Sequence, residues 1–184
     1  MKYLYSLLLF FLINSSQSEE FAKQFQDWYS YISVDLFTDE VGFNLITIAK
    51  DEGGRFEEGQ LAIGLNRPST SMYSLGIVFK YAIMADPDNK SGNGMIKMPA
   101  MFRIDKNNPI ESYFLTSDSY AEGGLILSNY QDKETFDTIM KEMLKGSEMI
   151  LKISGYDNES VIYKFSLKGL NDALNYTVNQ YNSH

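Results

Sequence analysis

Tyr73-Ser74-Leu75-Gly76-Ile77-Val78-Phe79-Lys80-Tyr81-Ala82-Ile83-Met84 is the stretch that decides the fold class. Tyr73, Leu75, Ile77, Phe79, Tyr81 and Ile83 are large and apolar, and the residues between them are smaller or polar. A repeat of two places alternate side chains on one face of a strand, whereas a helix would space its buried residues three and four apart. The series predicts one long strand. Working towards the amino terminus, residues 60–67 repeat the pattern with Leu61, Ile63 and Leu65 on one face and Ala62, Gly64 and Asn66 on the other, and Pro68 ends it. In residues 42–49, Phe43 and Leu45 alternate with Asn44 while Ile46 and Ile48 occupy the opposite face, as in a strand covered on both sides. Residues 21–28 form a mixed aromatic and polar lead-in with no clear period.

Towards the carboxy terminus, residues 86–94 read as a polar turn, with short strands at 95–98 and 101–105, a turn at 106–109, and further strands near 112–116 and 124–127. Asp132 is placed to cap a helix in which Phe136, Ile139, Met140, Met143 and Leu144 fall at helical spacing, and Gly146 stands where that helix stops. Met149, Leu151 and Ile153 alternate, as do Val161, Tyr163 and Phe165, which predicts a hairpin about residues 155–159. Ser166 is a candidate cap for a final helix whose apolar stripe is Leu167, Leu170, Leu174, Val178 and Tyr181. The expected fold is therefore mainly β: an antiparallel β-sandwich-like single domain over residues 19–184, with one helix near 132–145 and a C-terminal helix near 167–181.

Residues 1–18 read as a secretory signal peptide. Lys2 gives a charged start, Leu4 to Ile13 is an apolar run, and Ser16 and Ser18 are small residues at a cleavage site. The run is about ten residues, half of the roughly twenty that a bilayer-spanning helix needs. The expectation is a periplasmic or secreted product, with no transmembrane segment after cleavage. The chain has no cysteine, so thiolate zinc sites, iron–sulfur ligation and thiol nucleophiles are excluded. Its single histidine, His184, is the last residue, a poor position for a general base that must be held in place. A net charge of −8 disfavours nucleic acid, whose binding depends on neutralising phosphates.

Several residue groups suggest chemistry and then fail on spacing. Asp86-Pro87-Asp88-Asn89-Lys90-Ser91-Gly92 is rich in oxygen ligands, but a calcium loop starting at Asp86 would need glycine at Ser91 and a bidentate glutamate at Lys97. Gly53-Gly54 and Gly123-Gly124 lack the following helix and the lysine of a phosphate-binding loop. Glu57-Glu58 and the pair Asp118 and Glu122 offer two carboxylates for glycoside chemistry, as any acidic β-rich protein does. Met95, Met98 and Met101 resemble a copper(I) ligand set, yet alternation sends Met98 to the face opposite the other two. Asn158-Glu159-Ser160 and Asn175-Tyr176-Thr177 match the glycosylation acceptor pattern, relevant only in a eukaryotic host. No catalytic, cofactor-binding or metal residue is assigned on these grounds.

Met143-Leu144-Lys145-Gly146-Ser147-Glu148-Met149-Ile150-Leu151-Lys152 and Tyr163-Lys164-Phe165-Ser166-Leu167-Lys168-Gly169-Leu170-Asn171-Asp172-Ala173-Leu174 resemble the invasion-associated locus B family of exported bacterial proteins. That family carries a helix, Lys-Gly-Ser, strand step and a closing Ser-Leu-Lys-Gly-aromatic, Ala-Leu signature. Asp27-Trp28 and Arg67-Pro68 also fall where the family places similar residues, so the likeness spans about residues 25–178. This chain departs from it in lacking cysteine and in having Leu170 where the aromatic stands. The resemblance implies an envelope protein with a sandwich-like core, one or two packed helices and no established enzyme activity. It transfers no functional residue. Read physically, Leu167, Leu170 and Leu174 pin the last helix to the sheet, Lys168 faces water and Gly169 permits close approach of helix and strand.

Besides a hydrolase that works through carboxylates alone, two functions remain open. One is a non-enzymatic envelope protein that binds a protein partner through its surface, as an accessory or host-interaction factor. The other is a small-ligand carrier whose cavity is lined by Tyr73, Phe79, Tyr81, Phe102 and Phe114.

Overall fold

The computed structural model describes residues 18–35, 41–50, 57–65, 73–79, 83–92, 94–117, 120–121, 125–128, 132–156 and 159–183. The strands are β1 (Ser18–Phe25), β2 (Trp28–Asp35), β3 (Val41–Ile48), β4 (Gly59–Leu65), β5 (Tyr73–Phe79), β6 (Ile83–Met84), β7 (Ile96–Ile104), β8 (Ile110–Thr116), β9 (Tyr120–Ala121), β10 (Leu125–Ser128), β11 (Glu148–Ser154) and β12 (Ser160–Ser166). The helices are α1 (Lys133–Met143) and α2 (Leu170–Ser183). Ten strands follow the order β1-β2-β3-β4-β5-β10-β8-β7-β11-β12, and β6 pairs with β9 in a separate two-stranded sheet. Every pairing is antiparallel. The fold is the expected mainly-β, sandwich-like arrangement, with β1–β5 forming one layer and β8, β7, β11 and β12 the other.

The long order folds back on itself. The amide of Lys50 donates to the carbonyl of Lys164 at 2.7 Å and the amide of Glu57 to the carbonyl of Ile162 at 2.8 Å, so the ends of β3 and β4 cover the outer edge of β12. Gly59 allows this approach, because a Cβ there would stand 2.7 Å from the ring of Tyr163. Between the layers lie Phe43, Leu45, Leu61, Ile63, Leu75 and Ile77 from one side and Phe102, Ile104, Phe114, Met149, Leu151 and Phe165 from the other, all essentially inaccessible to water.

α1 starts at Asp132, whose carboxylate accepts from the amide of Thr135 at 3.1 Å, and it buries Phe136, Ile139, Met140 and Met143. Gly146 follows because Ile104 and Leu167 leave no room for a side chain. α2 packs across β1, β2 and β3. It begins three residues later than its apolar stripe predicts. Ser166 closes β12 instead of capping the helix, Leu167 donates its amide to the carbonyl of Ser147, and Gly169, at φ +88°, accepts the first helical bond, from Ala173.

Four other sequence expectations change. Residues 73–84 serve two sheets, β5 in the large one and β6 in the small one, because an alternating run carries no information about where its partner ends. The two strands expected at 95–98 and 101–105 are one continuous strand, β7; its pairing with β11 reaches only Ala100, so Pro99 interrupts no ladder on that side. The lead-in at 21–28 belongs to the β1–β2 hairpin. Ile46 is covered on the face away from α2, while Ile48 is 42% exposed, so β3 is enclosed on both sides over only part of its length.

Candidate functional site

The β1–β2 hairpin turns through Gln26 and Asp27, with Gln26 at φ +54° and Phe25 paired to Trp28. This turn meets the loop between β12 and α2. The indole N–H of Trp28 donates to the carbonyl of Ser166 at 3.0 Å, the amide of Asp27 donates to the carbonyl of Lys168 at 3.3 Å, and Gly169 lies so close to the Phe25 carbonyl that any Cβ would overlap it. The Asp27-Trp28 pair and the Ser166-Leu167-Lys168-Gly169 run, 138 residues apart from Trp28 to Ser166, thus form one knot. Deeper in the same seam the Ser30 and Thr177 hydroxyls share a hydrogen bond of 2.7 Å, and Thr177 Oγ1 also donates to the Ala173 carbonyl at 2.8 Å.

Asp27 is the titratable centre of the knot. The Ser166 hydroxyl bonded to its carboxylate, joined by Lys50 Nζ at 3.1 Å and the charge of Lys168, holds its pKa below the ordinary aspartate value. A carboxylate stabilised in its charged form is a weak proton acceptor, and these bonds fasten the β1–β2 turn to the end of β12. A second carboxylate, Asp105 at φ +50°, works in the same manner just after the C-terminal end of β7. It accepts from the Ser147 hydroxyl at 2.7 Å, the Ser147 amide at 3.1 Å and the Glu148 amide at 3.1 Å, and the Ser147 contacts lower its pKa. Asp105 was not legible as a node. Its only sequence signal is an aspartate at a strand end before a turn, a residue type that tolerates left-handed backbone.

Of the residues singled out for chemistry, those described are dispersed or already engaged. In the Asp86 segment, Asp86 Oδ1 accepts from the Asp88 amide at 3.0 Å, Asn89 Nδ2 donates to the Lys97 carbonyl at 3.0 Å and Ser91 Oγ to the Met95 carbonyl at 2.9 Å, so its polar atoms hold the turn together. Met98 points into the core at 1% exposure and Met101 outward at 37%, which separates the thioethers as alternation predicts. Phe102 and Phe114 pack against each other with ring centroids 5.8 Å apart, both fully buried. The side chains of Tyr73, Phe79 and Tyr81, and residues Gly53, Gly54, Asp118, Glu122, Gly123, Gly124, Asn158 and His184, lie outside the described residues. Glu57 and Glu58 are exposed, and burial followed by the charge of Glu57 pushes the Tyr163 phenol above its usual range. Asn175 is exposed on α2. Among the described residues, no group of three or more His, Cys, Asp or Glu side chains is arranged to hold a metal ion.

What faces solvent is more distinctive. On the outer side of β8-β7-β11-β12, register sets Glu111, Met101, Lys152 and Ile162 in one row across four strands and Arg103, Ile150 and Lys164 in the next. Met101 and Ile162 are each 37% exposed, and Tyr156, in the β11–β12 turn, is 39% exposed. Sequence reading passed over this row because alternation assigns these positions to solvent one strand at a time, whereas the row is visible only once the strands are in register. No protein-family model, curated protein or solved structure matches the chain. No helix among the described residues is long and apolar enough to cross a membrane.

Proposed function

We propose that this chain is a non-enzymatic, exported protein of the cell envelope, periplasmic or secreted after loss of residues 1–18, that binds a protein partner through the outer face of β7, β11 and β12. The observation that carries the reading is the pair of exposed apolar side chains, Met101 and Ile162, standing on either side of Lys152 across three paired strands. Exposed apolar residues gathered in one place mark recognition surfaces more often than isolated ones do. The engagement of Asp27, Asp105 and Ser166 in chain-fastening hydrogen bonds supports binding over catalysis. The leader at residues 1–18 and the likeness to invasion-associated locus B proteins support the compartment.

The test is capture from envelope extracts by the immobilised exported protein, run beside a Met101→Ser/Ile162→Ser form. The expected result is a partner retained by the first and lost by the second. Repeated recovery of the bait alone, or detection of the native product in the cytosol, overturns the proposal.

A further inference from the structure

Resting on that binding reading, we infer that the outer face of β7-β11-β12 receives an acidic amphipathic helix of a partner protein. The argument starts from charge. The whole chain carries −8, yet the outward positions of β8, β7, β11 and β12 hold Lys97, Arg103, Lys152 and Lys164 against only Glu111 and Glu148. Lys164 is committed to Glu148 at 2.9 Å and is only 15% exposed, while the Lys97 ammonium lies over the Tyr113 ring at 4.8 Å. Arg103 and Lys152 are exposed and form no ion pair with another described residue. The face is therefore a cationic, partly apolar island on an acidic molecule.

The size of the island selects its occupant. Charges interact across a Debye length of about 8–10 Å, so a partner segment confined to this face responds to its cations and little to the acidic remainder. An anionic membrane or a nucleic acid presents an extended field of negative charge that the rest of the molecule opposes. A few basic residues at about 1 kcal/mol each do not hold a protein against that opposition. Spacing then narrows the partner's form. Met101 and Ile162 are two strand positions apart, hence about 9.5 Å, with Lys152 between them. Apolar residues at i and i+7 of a helix lie about 10.5 Å apart, and an acid at i+3 or i+4 falls between them. Such a helix sets its two apolar groups on Met101 and Ile162, one carboxylate on Lys152 and a neighbouring one on Arg103.

The experiment titrates the protein, labelled at its Met and Ile methyl groups, with a synthetic helical peptide carrying leucine at i and i+7 and glutamate at i+3 and i+4. The expected result is methyl shifts confined to Met101, Ile150 and Ile162, affinity that falls as salt is raised, and a loss of roughly tenfold or more in Lys152→Glu and in Arg103→Glu with circular dichroism unchanged. The inference is overturned by equal binding of a peptide with lysine in place of glutamate, by shifts centred on another surface, or by shifts produced by phosphatidylglycerol vesicles and not by the peptide. Failure here is separable from failure of the binding reading. If a captured envelope partner is retained equally by the Lys152→Glu form, only this inference falls; if nothing is captured at all, both do.

Discussion

In the layer β1–β5 the inward face meets α2 and the end of β12 through apolar contacts interrupted by buried polar bonds, Trp28 to Ser166 and Ser30 to Thr177. In β7 and β11 of the other layer the inward residues are apolar throughout, from Ile96 to Ile104 and from Met149 to Ile153, and the outward face is left with Met101 and Ile162 in contact with water. The difference separates two tasks. Polar bonds are directional and fix which chain segments meet, whereas apolar packing contributes more stabilisation but less geometric choice. One layer is specified from within, and the other turns exposed apolar side chains outward.

The sharpest way to break the contrast is Trp28→Ala, which empties a fully buried site and strands the Ser166 carbonyl; a loss of about 3–5 kcal/mol in urea unfolding is expected. Gly169→Ala comes next. It forces a side chain into left-handed backbone and against the Phe25 carbonyl, and strained backbone alone costs about 1–3 kcal/mol. Substitution at Gly92, which has open space around it, serves as the control and should change little. A cycle of Ser30→Ala and Thr177→Val should show each single change costing about 1–2 kcal/mol and the double change costing less than their sum, since removing both hydroxyls leaves neither orphaned. Additive losses would show that the hydroxyl pair does not couple the sheet to α2.

Acid titration is a gentler probe of both layers. Asp27 and Asp105 have folded-state pKa values below 3.8, so each binds its proton less readily when folded than when unfolded. Their stabilisation is complete above the unfolded value and disappears as pH falls through the folded one. Unfolding free energy should therefore decline below about pH 4, and Asp105→Asn should flatten that decline without moving the plateau near neutrality by more than about 1–2 kcal/mol. The smallest effect belongs to the outward row. Met101→Ser and Ile162→Ser should shift unfolding by no more than about 0.5 kcal/mol while abolishing partner capture.

Much of the strand content was legible because a repeat of two survives any tertiary context: β4, β8, β11, β12 and the first half of the Tyr73–Met84 run lie within a few residues of where the alternation places them. α1 was legible for a different reason, the agreement of the Asp132 cap, the apolar spacing and Gly146. The start of α2 was not, because Leu167 continues the helical stripe in sequence yet is drawn away by the Ser147 carbonyl. The knot of Asp27, Trp28 and Ser166 and the Met101–Lys152–Ile162 row were hidden for a shared cause. Each is assembled by strand register and layer closure between segments far apart in the chain, and no local pattern encodes such distances.

The cover that Lys50 and Glu57 place on β12 leaves the large sheet unequal at its two ends, since β1 hydrogen-bonds only to β2 among the described strands. A sheet open at both ends can recruit neighbours without limit, and that is the route to fibres. Among the described strands of the large sheet, β1 is the end left open to strand addition. Two molecules joined through β1 would exhaust that end of the large sheet, so growth by this route stops at a two-fold pair.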